Sequence, residues 1–158
     1  MCRLVLDTSC IIAFVEEIKR PDLLRKLIMK GCRLMITNYV KIELERGNTY
    51  RKIVENNIEL EVINISESEV LSFINEVARS IGKGEASVML YSLKAKSEVV
   101  IAILDDRRAR KIAEKYNVNY HGTLWLINTL MPQMNIIMKE ESDNLIKILR
   151  ESGFYTPS

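Results

Sequence analysis

Histidine is almost absent: His121 stands alone in a chain of 158 residues. That excludes His-rich metal sites and paired-histidine ribonuclease chemistry, and leaves carboxylates as the plentiful titratable groups. Cysteine is scarce too. Cys2, Cys10 and Cys32 form an odd set with no CxxC spacing. They read as small core residues in a reducing compartment, neither a disulfide framework nor a zinc site. Long apolar runs are missing: the longest, near Val99 to Leu104, falls far short of a bilayer span. The N-terminus lacks the basic-then-apolar layout of a signal peptide, because strand-like sequence begins at Arg3. A cytoplasmic protein without membrane contact is expected. The net charge of +2 neither demands nor forbids a nucleic-acid partner.

What is present reads as a single domain over residues 1–158, with no repeat, low-complexity tract or linker. At 47% hydrophobic and 28% charged residues the composition is that of an ordinary globular protein, and the length suffices for a proper core. Short β-branched runs suggest strands at Arg3–Asp7, Leu34–Thr37, Leu60–Ile65, Val99–Leu104 and Val118–Tyr120. Helical patterns lie between them, the clearest at Asn38–Arg46, Glu67–Ile81, Gly84–Lys96 and Arg107–Tyr116. An amphipathic helix carrying Leu145, Ile146, Ile148 and Leu149 is expected at about 141–151, ending at Gly153, either over the sheet edge near the fifth strand or in a subunit contact. Strands separated by helices predict an α/β fold with a five-stranded parallel sheet covered by helices on both faces. In such sheets ligands bind beyond the carboxyl ends of the strands, where strand order reverses.

Carboxylates fall at those places. Asp7 ends the first strand in "LVLDTSCI", and Asp105 and Asp106 end the fourth in "VVIAILDDRRAR". Glu43, in "TNYVKIELERG", borders the face of a helix whose Val40 and Leu44 point at the sheet, whereas Glu45 is turned away. Glu85, in "IGKGEASVML", occupies the first turn of an apolar helix. Each has an ordinary explanation as a helix cap, a dipole partner or a solvated side chain. Together they would cluster if the strands are ordered 3-2-1-4-5. Crowded like charges raise one another's pKa unless a cation neutralises them, and oxygen-only donors favour Mg²⁺ or Mn²⁺.

The set "VLDTSCII", "TNYVKIELERG", "GKGEASVML" and "AILDDRRARKIA" resembles the PIN-domain nucleases, with closest likeness to a prokaryotic branch with an LDDRRAR motif and a trailing C-terminal helix. The likeness covers nearly the whole chain. It implies a PIN-like three-layer fold and a Mg²⁺- or Mn²⁺-dependent ribonuclease acting on single-stranded RNA, of a kind that is often a toxin held inactive by an antitoxin and commonly a dimer. Carried across by position, the family's acids match Asp7, Glu43, Glu85 and one of the Asp105-Asp106 pair. Alignment on the following arginine favours Asp106, whereas the strand end favours Asp105. The family often has aspartate at the third position, and glutamate has a longer reach.

The expected catalytic set is therefore Asp7, Glu43, Glu85, Asp105 and Asp106, with Asp7, Glu85 and Asp106 as metal ligands. Hydrolysing a phosphodiester needs an activated water and charge stabilisation, and carboxylate-held divalent ions supply both. Thr8 and Ser9 are expected to support the site or cap the next helix. Lys83, Arg107 and Arg108 are placed for phosphate contact, while Lys111 and Lys115 form a surface pair. Tyr39 is read mainly as core and His121 as structural. Two rival readings keep part of this pattern: a PIN-like module that only binds RNA or protein, and a phosphotransferase using Asp7 as nucleophile.

Overall fold

The structure, a computed structural model, describes residues 2–77, 80–95 and 99–154. Strand β1 (Arg3–Leu6) is the central one, and its Leu4, Val5 and Leu6 are wholly buried, as a strand covered on both faces requires. Around it run β2 (Arg33–Thr37), β3 (Glu61–Ile63), β4 (Ile101–Ile103) and β5 (Tyr120–His121), all parallel, in the order 3-2-1-4-5. The expected order holds, though β3 and β4 are shorter than their apolar runs. β1 pairs with β2 through Arg3↔Arg33 and with β4 through Leu6↔Ile103. Strand order therefore reverses at the carboxyl ends of β1 and β4, which opens a crevice there.

Ten helices, among the described residues, pack around the sheet. α1 (Thr8–Ile12) leaves β1 and runs into a π-helical stretch at Ala13–Glu17; α2 (Asp22–Met29) follows. α3 (Asn38–Arg46) and α4 (Thr49–Glu55) lie between β2 and β3. α5 (Glu67–Val77) and α6 (Lys83–Lys94) join β3 to β4, and α7 (Arg107–Lys115) joins β4 to β5. The expected helix over Glu67–Ile81 is thus seen to Val77; residues 78 and 79 lie outside the described ones. α8 (Thr123–Trp125) passes through a π-helical segment, Leu126–Leu130, into α9 (Met131–Gln133). α10 (Lys139–Glu151) seats Leu145 and Leu149 in the core and donates from the Ser142 hydroxyl to the Ile127 carbonyl. Arg20 joins Glu141 at 2.7 Å, so α10 packs on the helices that follow β1 and β5.

The cysteine reading needs correction. Cys2 and Cys32 form a disulfide with Cα atoms 4.5 Å apart, while Cys10 is free and buried. The parallel register explains it: pairing Arg3 with Arg33 sets the preceding residues side by side. No spacing motif marks a bridge made by strand pairing.

Candidate functional site

A cleft of about 640 Å³ opens at the carboxyl ends of β1 and β4. Its lining includes Asp7, Glu43, Glu85, Asp105 and Asp106, brought from four separate segments of the chain.

Asp7 follows β1 and stands at the N-cap position of α1, in extended backbone, yet its carboxylate makes no capping bond. The side chain is instead 6% exposed and points into the cleft lining. Burial pushes its pKa well above the usual carboxylate value, with Glu85, Glu43 and Asp105 adding to the rise and the Thr8 backbone N–H opposing it. A buried carboxylate that forgoes the cap is the answer to the abrupt stop in "LVLDTSCI".

Glu43 projects from α3, whose start is fixed by Thr37 accepting the Val40 N–H at 3.2 Å. Val40 and Leu44 are buried as the periodicity expects. The Glu43 Oε1 accepts a hydrogen bond from Thr8 Oγ1 at 3.1 Å. It also lies so close to α6 that a Cβ on Gly84 would meet Oε1 at 2.0 Å. The second glycine of "GKGEA" is therefore a matter of space, not of backbone freedom.

A buried chain of hydroxyls holds α3 and α6 in this relation. Ser87 Oγ donates to the Gly84 carbonyl at 2.7 Å, and the Thr37 and Ser87 oxygens are 2.6 Å apart. Because Ser87 spends its proton on Gly84, Thr37 must donate to Ser87 while accepting from Val40. Sequence reasoning missed this pair; two hydroxyls 50 positions apart give no local signal.

Glu85 lies in the first turn of α6, and its Oε1 accepts the Gly82 N–H at 3.1 Å. Its carboxyl stands near that of Asp106 in the same lining. Burial is the main cause of a pKa raised to about 7, the Gly82 N–H opposes it, and Asp106 and Glu43 raise it further. Asp106 additionally caps α7, accepting the Arg108 N–H at 3.1 Å.

Asp105 behaves differently. Its Oδ1 accepts the Thr123 N–H at 2.7 Å, and its Oδ2 accepts both the Thr123 hydroxyl at 2.7 Å and the Ser9 hydroxyl at 3.0 Å. Burial raises its pKa despite these bonds and the nearby Arg110 charge. Asp105 thus pins the starts of α1 and α8 to the end of β4. Gly122 gives it room, since a Cβ there would stand 3.1 Å from Oδ1 and 2.9 Å from an Arg110 nitrogen. Thr123, Gly122 and Arg110 were not anticipated.

The basic residues sit outside the lining. Lys83, Arg107 and Arg108 are exposed and flank it in sequence, between or beside residues that line it. Tyr39 packs against the core, and His121 stacks on Trp125 with ring centroids 3.9 Å apart.

The donors are hard oxygens without histidine or thiolate, which suits Mg²⁺, Mn²⁺ or Ca²⁺. Among the described residues no three acidic side chains already stand at ligating distance. Asp106 and Glu43 instead crowd Glu85 and add to the rise in its pKa that burial begins. A divalent ion would neutralise the like charges that, after burial, help to raise Asp7 and Glu85, so the donor chemistry fits.

A family model described as a PIN domain matches residues 3–158, and the chain belongs to that family. No curated protein matches the chain. PIN domains are a nuclease fold, typically metal-dependent and acting on nucleic acid. Among the described residues no helix is long and apolar enough to cross a membrane.

Proposed function

Starting from membership of the PIN-domain family, we propose that this chain is a Mg²⁺- or Mn²⁺-dependent ribonuclease that hydrolyses phosphodiester bonds in single-stranded RNA. The observation that carries the reading is the convergence of Asp7, Glu43, Glu85 and Asp106 on one cleft, with the Asp7 carboxylate buried and uncapped. Asp7, Glu85 and Asp106 would hold the ion, and Glu43 would position water beside it. A bound divalent ion supplies an activated water and neutralises charge on the phosphate and leaving oxygen.

The remaining roles belong to the chain itself. Thr8 orients Glu43 by its hydrogen bond, and Gly84 leaves the space that this carboxylate occupies. Asp105 and Ser9 hold the end of β4 against the start of α1, which keeps Asp7 and Asp106 at a fixed separation. Lys83, Arg107 and Arg108 supply positive charge for the substrate backbone. Family likeness extends the proposal to a toxin restrained by an antitoxin and to a homodimer. Co-expression with the product of an adjacent small gene and light scattering test those two points.

The principal test is cleavage of a mixed RNA pool with Mn²⁺, with EDTA, and by two variants. Asp7→Asn should lose about a hundredfold or more in rate, because a ligand lost at the reacting centre removes several kcal/mol of transition-state stabilisation. Glu45→Gln, exposed on the same helix but outside the lining, should stay near wild type. Activity that survives EDTA, or falls equally in both variants, overturns the reading.

A further inference from the structure

Two apolar side chains, Ile12 and Phe154, stand in an otherwise acidic and polar cleft lining. Phe154 comes from the far end of the chain, and its arrival there is specified locally. After α10, Gly153 takes a φ of +87°, its N–H reaches the Arg150 carbonyl at 3.3 Å, and the Phe154 N–H reaches the Leu149 carbonyl at 3.2 Å. These are the two bonds of a Schellman turn, with glycine at the left-handed position. Leu149 is wholly buried and Ser142 is tied to Ile127, so the helix carrying the turn is anchored. The turn therefore delivers a half-buried phenyl ring to the cleft that the carboxylates line.

We propose that Phe154 is a substrate-contacting residue: its ring stacks on the base of a nucleotide next to the phosphodiester held at the carboxylates. The proposal rests on the nuclease reading for the identity of the ligand. Carboxylates and an ion grip only the phosphate and cannot hold a flexible single strand by its bases. An aromatic face beside them can, and it does so with little regard to sequence because every base offers a π-face. Ile12 adds a second apolar side chain to the same lining. The same ring would meet no base in a paired duplex, so it also favours unpaired RNA.

The test uses the full chain in Ca²⁺, with a short single-stranded RNA carrying 2-aminopurine at successive positions and matched RNAs with an abasic residue instead. Wild type should quench the fluorophore at one position and bind the intact RNA about 5- to 150-fold more tightly than the RNA abasic there. Phe154→Leu keeps apolar bulk but has no π-face, and should lose both the quenching and the preference while melting as wild type does. Phe154→Tyr should retain them. Equal treatment of intact and abasic RNA by wild type, a preference unchanged in Phe154→Leu, or no RNA binding at all overturns the proposal. Cleavage is scored separately in Mn²⁺: cutting without the preference sinks only the stacking role, and the preference without cutting sinks only the nuclease.

Discussion

Glu43 fills the volume that any side chain on Gly84 would need, its Oε1 lying 2.0 Å from where a Cβ would stand. The backbone of Gly84 is not in the left-handed region, and alanine is the better helix former by about 1 kcal/mol. Gly84→Ala should therefore fold, with melting near wild type, but push Glu43 away from Thr8 and out of the cleft. A displacement of that kind costs roughly tenfold to a hundredfold in rate. Combining it with Glu43→Gln should add little to either single change. Additive losses in a double-mutant cycle on RNA cleavage would show that Gly84 acts through something other than Glu43.

Metal should stabilise the fold through the same carboxylates. An ion that binds only the folded chain raises stability by about 2.7 kcal/mol at a hundredfold excess over its dissociation constant. Thermal melts of wild type should rise with Mn²⁺, whereas Asp7→Asn should respond weakly and melt higher than wild type in EDTA, because burying a neutral amide costs less than burying the charge. Identical responses in the two proteins would remove Asp7 from the metal site.

The metal-free protein should lose stability as pH rises. Glu85 goes from an ordinary value of 4.5 to about 7 on folding, and Asp7 is likewise raised. Between the unfolded and folded values the folded state binds more protons, so the Glu85 contribution is full below about pH 4.5 and is lost as pH rises through about 7, and Asp7 acts in the same direction. His121 tilts the other way, since burial depresses its pKa. The readout is therefore a difference: the fall in melting temperature from about pH 5 to 8 in EDTA should be smaller in Glu85→Gln than in wild type. An equal or steeper fall would contradict the raised Glu85.

Asp105 and Asp106, adjacent in sequence, should separate by phenotype. Asp105 has both oxygens committed to Thr123 and Ser9 in a buried setting. Asp105→Asn or Thr123→Val should cost about 1–3 kcal/mol of stability, read by denaturant titration. Asp106→Asn should keep its stability, because asparagine caps α7 as well as aspartate does, yet lose cleavage. The reverse pattern would make Asp105 the ligand.

The sheet was legible because β1, β2 and β4 are short apolar runs separated by helical patterns, and acids at their ends made sense only with β1 beside β4. Val40 and Leu44 were legible for the same reason of periodicity. Side-chain direction was not. "DTS" permits a cap as readily as an uncapped buried carboxylate, and only packing decides between them. The Thr37–Ser87 link, the Thr123 clamp on Asp105 and the Cys2–Cys32 bridge each join residues that the chain keeps far apart. Phe154 lay in plain view after Gly153, but the helix end alone does not say where its turn points.

Strand order also sets a schedule. β1 can pair with β2 after about 30 residues of chain, as the Arg3↔Arg33 register requires, but its other edge waits for Ile101–Ile103. Asp7, Glu43 and Glu85 are all synthesised before the strand that completes their cleft. A ribosome-bound or truncated chain ending before β4 would hold three of the acids without a site to put them in. Any activity therefore needs the pairing of β1 with β4, whose partners Leu4 and Ile101 lie far apart along the chain.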